Sequence, residues 1–297
     1  MVDFFIELNP IYQALLACTF TFLVTALGAA LVFLVKKVNQ NLMDILLSIS
    51  AGIMLSSSIF SLIIPALDSS DDIGCNASIL LSIGIMVGAL LIYFCDYLYN
   101  KKEKKLKKIK RNKKKNNVNN LLLSMTIHNF PEGMAIGVAF AGVYYGSISS
   151  IMAAISLAIG IGIQNFPEGS AISFPLYKNG YSKFKSFVIG GLTAIVEPIG
   201  GVIGVLIALR LPILLPFLLS LAAGSMFYVI VTELVPEAMQ NKNKERMALY
   251  LIIGFIIMMF LDISLGWYLF YFKYFSKFFW NFSSKFNLSI GNWMIKF

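Results

Sequence analysis

Eight stretches of the chain are apolar for long enough to cross the roughly 30 Å hydrocarbon core of a bilayer. They run over about 11–35, 42–67, 77–99, 121–143, 147–177, 186–209, 211–239 and 247–272. Lipid offers no water to satisfy an exposed peptide group, so each run must be a helix. The fold class that follows is an all-α polytopic membrane protein with eight transmembrane helices. Composition agrees, since 58% of the 297 residues are hydrophobic and only 13% charged, too little polar surface for a soluble chain. The N-terminus, MVDFFIELNP, has no basic stretch ahead of its apolar run, so a cleavable signal peptide is not expected.

The basic residues choose an orientation. Nineteen of the 24 Lys and Arg residues fall in the loops after runs one, three, five and seven, eleven of them between 101 and 115. The positive-inside rule then places those loops in the cytoplasm and both termini outside, in what we expect to be the plasma membrane. Most of the +9 net charge lies in this one juxtamembrane loop. That placement suits orientation and attraction to anionic lipid, and no nucleic acid partner is expected. The Lys/Asn-rich stretch 100–120 is expected to be disordered, because like charges repel and nothing in it can form a core. The tail 273–297 alternates aromatic with basic or polar residues and reads as an interfacial segment, not a ninth span. Cys18, Cys75 and Cys95 are scattered without a CxxC pair, which argues against a disulfide framework or a zinc knuckle.

Runs four and five carry one motif twice, IHNFPEGMAIG at 127–137 and IQNFPEGSAIS at 163–173. A charged side chain near the centre of a lone membrane helix costs about 2.5–3.5 kcal/mol even on lenient insertion scales, so it normally faces a partner or a watery cavity. The intramembrane candidates are Glu132, Glu168, Glu197, Glu233, Glu237 and His128, the single histidine of the chain. His128 and Glu132 are i,i+4 and Asn129 and Glu132 are i,i+3, so one helix face presents all three. Gln164, Asn165 and Glu168 repeat that arrangement. Pro131 and Pro167 lack the N–H that would bond the carbonyls of Ile127 and Ile163, so a kink is expected beside each carboxylate. At about 1.5 Å per residue, Glu132, Glu168 and Glu197 lie roughly 18, 15 and 18 Å from the cytoplasmic ends of their helices. Glu233 or Glu237 taken singly would pass for a protonated packing residue; three carboxylates, an imidazole and several amides at one depth point to a cation. Asp44, Asp96 and Asp262 lie near span ends or stand alone and are expected to snorkel or make local hydrogen bonds.

These residues resemble the ZIP family of divalent-metal transporters, and its GufA-like branch in particular. The resemblance rests on HNFPEG, on QNFPEG, on VEPIGG at 196–201 and on AAGSMFYVIVTELVPEA at 222–238, with SAGIMLSSSIFSLIIPAL at 50–67 in support. It implies a single membrane domain over 1–297, with spans one to three and six to eight as inverted repeats around the four–five pair. It also implies a two-metal site. One metal would be held by His128, Glu132 and Glu168, with Gln164 nearby and Met54 as a soft ligand. The second would use Asn129, Glu132, Asn165, Glu168 and Glu197, with Glu132 and Glu168 bridging. Family members are thought to move spans one, four, five and six against two, three, seven and eight. Gln164 stands where many relatives carry His, and the loop between spans three and four has no histidine, which argues against metal capture there.

The expected function is transport of divalent metal cations toward the cytosol, zinc first and also iron or manganese. The donor set suits such ions and suits Cu⁺ poorly. Three carboxylates at low dielectric repel one another, so the empty site is expected to hold protons that the metal displaces. No enzyme activity and no resident cofactor are expected, the transported ion itself occupying the site. Partners are the cation and the lipid bilayer, and a homodimer is compatible with the sequence. The alternative is a proton- or metal-gated channel or receptor. A metalloprotease is disfavoured, with one histidine and no HExxH.

Overall fold

Helices account for the regular structure because each apolar run must close its own peptide hydrogen bonds. In the computed structural model, residues 5, 7–36, 39–73, 76–107, 116–145 and 151–285 are described, and among them there is no strand. The helical segments are α1 (Pro10–Phe33), α2 (Gln40–Ser70), α3 (Ala77–Lys107), α4 (Asn116–Tyr144), α5 (Ile151–Lys178), α6 (Lys183–Arg210), α7 (Pro212–Ala238) and α8 (Lys244–Lys285). Side chains at the helix starts satisfy N–H groups that the helix leaves open. Asn9 Oδ1 accepts from the Ile11 N–H at 3.0 Å ahead of Pro10, Asn39 Oδ1 from Asn41 at 3.1 Å, and the Ser182 hydroxyl from Lys185 at 3.3 Å. Gly180, at φ 92°, ends α5, and the Tyr181 N–H reaches back to the Leu176 carbonyl at 3.2 Å.

Seven helices among the described residues are long and apolar enough to cross a membrane, and α4 is not one of the seven. The sequence reading of eight spans is thereby met in seven. α4 carries Asn116, Asn117, Asn119 and Asn120 in its first turns, then His128, Asn129 and Glu132, which dilute its apolar length. α3 continues to Lys107 and α4 begins at Asn116, so within the lysine-rich stretch 100–120 only 108–115 lies outside the described residues. The tail expected at the interface is helical through Lys285 as part of α8, and 286–297 lie outside the described residues, as does Cys75.

The four most extensive helix–helix interfaces are α4–α6, α1–α5, α2–α8 and α3–α7. At each, glycine lets two backbones touch. A Cβ on Gly133 would overlap the Glu197 backbone, on Gly169 the Thr25 carbonyl, on Gly52 the Leu251 carbonyl and on Gly224 the Ile85 carbonyl. Small residues at crossings are how helices pack where lipid removes the usual hydrophobic drive. α1, α4, α5 and α6 also contact one another, and α2 joins this group through α5. α3 and α8 are the outermost, exposing Ile79, Ile83 and Met86, and Leu249, Ile252 and Phe260.

Irregular turns interrupt three helices. α2 passes through a π-helical segment at Ser58–Ile63, α7 through another at Ile230–Leu234, and α6 through a 3₁₀ turn at Thr193–Ile195. By contrast α4 and α5 remain α-helical through Pro131 and Pro167. The π segments follow Ala51-Gly52-Ile53-Met54 and Ala223-Gly224-Ser225-Met226 at the same spacing.

Candidate metal centre

Each NFPEG copy places its glutamate on a helix that other helices cover. Glu132 on α4, Glu168 on α5 and Glu197 on α6 are 0%, 2% and 0% exposed. Glu132 lies close enough to Glu168 and Glu197 to feel both charges, so three helices deliver their carboxylates to one buried region. Glu197 comes from the first turn after the 3₁₀ segment of α6, where the backbone is already turned toward α4 by the Gly133 contact.

The neutral amides hold the carboxylates and keep an oxygen spare. Gln164 Nε2 donates to Glu132 Oε1 at 2.7 Å, and Asn165 Nδ2 donates to Glu197 Oε1 at 2.9 Å. An ionised carboxylate only accepts, so the N–H end of each amide faces it. The other ends are then left over. Asn129 Oδ1, Glu132 Oε2, Gln164 Oε1 and Asn165 Oδ1 are all buried with no donor among the described residues. Leaving one such oxygen unsatisfied costs about 1–3 kcal/mol, more if it is charged. Four acceptors together, three of them on side chains that make the bonds above, suit a group that is positive and brings no lone pair.

Of the residues singled out in the sequence, Asn129, Glu132, Gln164, Asn165, Glu168 and Glu197 are all buried here. His128 lies on α4 one turn before Glu132, and its side chain is outside the described residues. Met54 is fully buried on α2, and Ser50, one turn earlier, touches the site. The Ser50 hydroxyl donates to the Gln164 carbonyl at 3.2 Å and lies 3.4 Å from Glu168 Oε1. Among the described residues no three His, Cys, Asp or Glu side chains form a metal-sized shell by themselves.

Two contributors were not legible in the sequence. Ser50 is one, and Thr21 of α1, which donates to Glu197 Oε2, is the other. Hydroxyl residues in an apolar helix usually bond back to their own helix, so nothing in the pattern separates these from Thr19, which bonds the Leu15 carbonyl at 2.7 Å. Of the remaining acids, Glu233 lies close enough to Glu168 for its charge to act on it, and the others are held by other partners. Asp44 accepts from Gln40 at 2.9 Å and Asn241 at 2.7 Å, and Asp262 Oδ1 from Ser61 at 2.8 Å and Ser156 at 3.0 Å. Glu233 sits in the π segment of α7 beside Asp96, while Glu237 is exposed and accepts from Gln240 at 2.8 Å.

Sequence comparison relates the chain to known proteins. Residues 96–262 match the family described as ZIP Zinc transporter. The chain is 31% identical to Zinc transporter ZIP11 of Homo sapiens, over 87% of this chain and 98% of that protein. It is 33% identical to Zinc transporter ZIPB of Bordetella bronchiseptica, over 82% and 79% of the two chains. With Zinc transporter GufA of Myxococcus xanthus the identity is 31%, over 82% and 94%.

Proposed function

The chain belongs to the ZIP zinc transporter family, and from that premise we propose that it carries divalent cations, zinc first and iron or manganese also, toward the cytosol through a two-metal site inside the membrane. The role is transport and not catalysis. The observation that carries the reading is the set of buried oxygens of Asn129, Glu132, Gln164 and Asn165 that lack a donor among the described residues. A divalent cation stripped of part of its hydration shell supplies what they lack. In this assignment one metal takes His128, Glu132, Gln164 and Glu168, with Met54 in reserve, and the other takes Asn129, Glu132, Asn165, Glu168 and Glu197.

Eight spans in an inverted repeat around α4 and α5 are part of the same proposal. One constant shift in residue number carries Thr25 onto Glu197, Gly28 onto Gly200, Gly52 onto Gly224, Met54 onto Met226 and Ser58 onto Ile230. The glycine contacts follow that shift. Gly28 meets the carbonyl of Phe166 and Gly200 the carbonyl of Phe130, the two phenylalanines of the doubled motif. Such a repeat places two antiparallel halves about one midplane site. The orientation proposed has both termini outside and the lysine-rich loop in the cytosol, in the plasma membrane.

Purified protein in liposomes tests the function. Metal-dependent uptake is expected for Zn²⁺, with Fe²⁺ and Mn²⁺ competing. A protein that binds Zn²⁺ but moves no metal across the vesicle wall is a receptor, and the transport reading fails.

A further inference from the structure

We propose that Thr21 of α1 is a positioning residue of the metal centre: with the Asn165 amide it clamps the Glu197 carboxylate, and so aims the spare Asn165 oxygen at the second cation. The proposal rests on the two-metal reading above.

Glu197 is gripped from three sides. Asn165 Nδ2 donates to Oε1 at 2.9 Å, and the Thr21 hydroxyl donates to Oε2. The backbone is pinned as well, since a Cβ on Gly133 would overlap the Glu197 carbonyl. Thr21 and Glu197 are both fully buried, so no water competes for the hydroxyl. The single Thr21 proton has one other acceptor, the Cys18 carbonyl at 3.0 Å. A bond to an ionised oxygen is about twice as strong as one to a neutral one, so the hydroxyl donates to a charged Glu197 ahead of the Cys18 carbonyl.

The consequence reaches beyond Glu197. Asn165 has its amide N–H committed to Glu197, and this fixes the plane that leaves Asn165 Oδ1 buried without a donor. Remove the Thr21 hydroxyl and Oε2 loses the donor opposite Asn165, so the carboxylate turns toward Thr25, the hydroxyl that remains beside it. The Asn165 amide turns with it, and two proposed ligands of the second metal lose their aim. Glu132 and Gln164 hold each other by a separate bond, at 2.7 Å, so the first metal keeps its donors.

Thr21→Val keeps the shape and deletes the hydroxyl, while Thr21→Ser keeps the hydroxyl. Zinc stoichiometry and affinity are measured on the full chain in detergent, by calorimetry or by competition with a chromophoric chelator. The parent is expected to bind two Zn²⁺ per chain. The valine variant should keep one at parental affinity and lose affinity for the other by about 10–100-fold, the usual cost of removing a group that orients a metal ligand. The serine variant should recover both. Thr21→Ala stands in should the valine variant not purify as a monodisperse protein. A parent that binds one Zn²⁺ overturns the two-metal reading, and the proposal with it. A parent that binds two, beside valine and alanine variants that also bind two at unchanged affinity, overturns the proposal alone.

Discussion

Glutamate and glutamine differ at the proposed centre by one charge and almost nothing in shape, which makes the bridging residues open to test. A packing residue tolerates Glu132→Gln or Glu168→Gln, because the amide fills the same space and can still hydrogen-bond. A ligand to a divalent cation does not. Two unit charges about 4 Å apart attract by about 4 kcal/mol at an effective dielectric near 20, so removing one costs orders of magnitude in binding. Either variant is expected to insert normally and lose most uptake per molecule at the surface, while Glu245→Gln, exposed at the start of α8, should match the parent. Parental uptake by both Glu132→Gln and Glu168→Gln would falsify the bridging assignment. The motif copies disclosed the acids and amides of the centre; they did not disclose which atom of each amide is spare. That depends on partners contributed by other helices, such as Gln164 on Glu132 and Asn165 on Glu197.

Helices here are held together where glycine lets main chains touch, and the four principal interfaces use the same device. Gly52 and Gly224 have no room for a side chain, because each faces the backbone of a neighbouring helix. Overpacking a well-filled interface costs about 1–3 kcal/mol, and a backbone cannot step aside as a side chain can. Gly52→Val and Gly224→Val should therefore each lower the unfolding temperature of the protein in detergent by several degrees. Gly180 sets a useful contrast. Nothing lies within 4 Å of its would-be Cβ, but its φ of 92° suits glycine, so Gly180→Ala should cost about 1–2 kcal/mol through conformation alone. Equal thermal stability of parent and Gly52→Val would show that the α2–α8 crossing has room for a side chain beside the Leu251 carbonyl. The irregular turns also belong to this scale. The doubled prolines lie in α4 and α5, yet the π and 3₁₀ segments that interrupt helices fall in α2, α7 and α6. Pro65 and Pro236 do follow the π segments closely, but a proline beyond a π turn reads in sequence like any other helix proline.

Across the whole molecule, charge decides which way the bundle faces. Eleven basic residues between 101 and 115 outweigh every other loop. Crossing the membrane with them would be opposed by both the desolvation cost and the positive-inside bias. A cysteine introduced near 110 in a chain lacking Cys18, Cys75 and Cys95 should resist a membrane-impermeant thiol reagent in intact cells and react once the cells are opened. Labelling from outside would invert the orientation, and with it the direction of transport proposed here.

Run length and composition are enough to put the chain in a bilayer, to make it helical, and to bury a small set of acids and amides in it. Those conclusions need only local information: run length against hydrocarbon thickness, and the cost of placing a charge in lipid. Periodicity along one helix also sufficed to put Asn129 with Glu132 and Asn165 with Glu168. Tertiary structure decided the rest. Thr21 and Ser50 gain their roles only because α1 and α2 pack against α6 and α5, and a hydroxyl in an apolar run carries no mark of which neighbour it will meet. The same holds for the spare oxygens. Whether an amide oxygen is left without a donor is a property of the neighbouring helices and not of the residue, so only the assembled bundle could single out Asn129, Gln164 and Asn165.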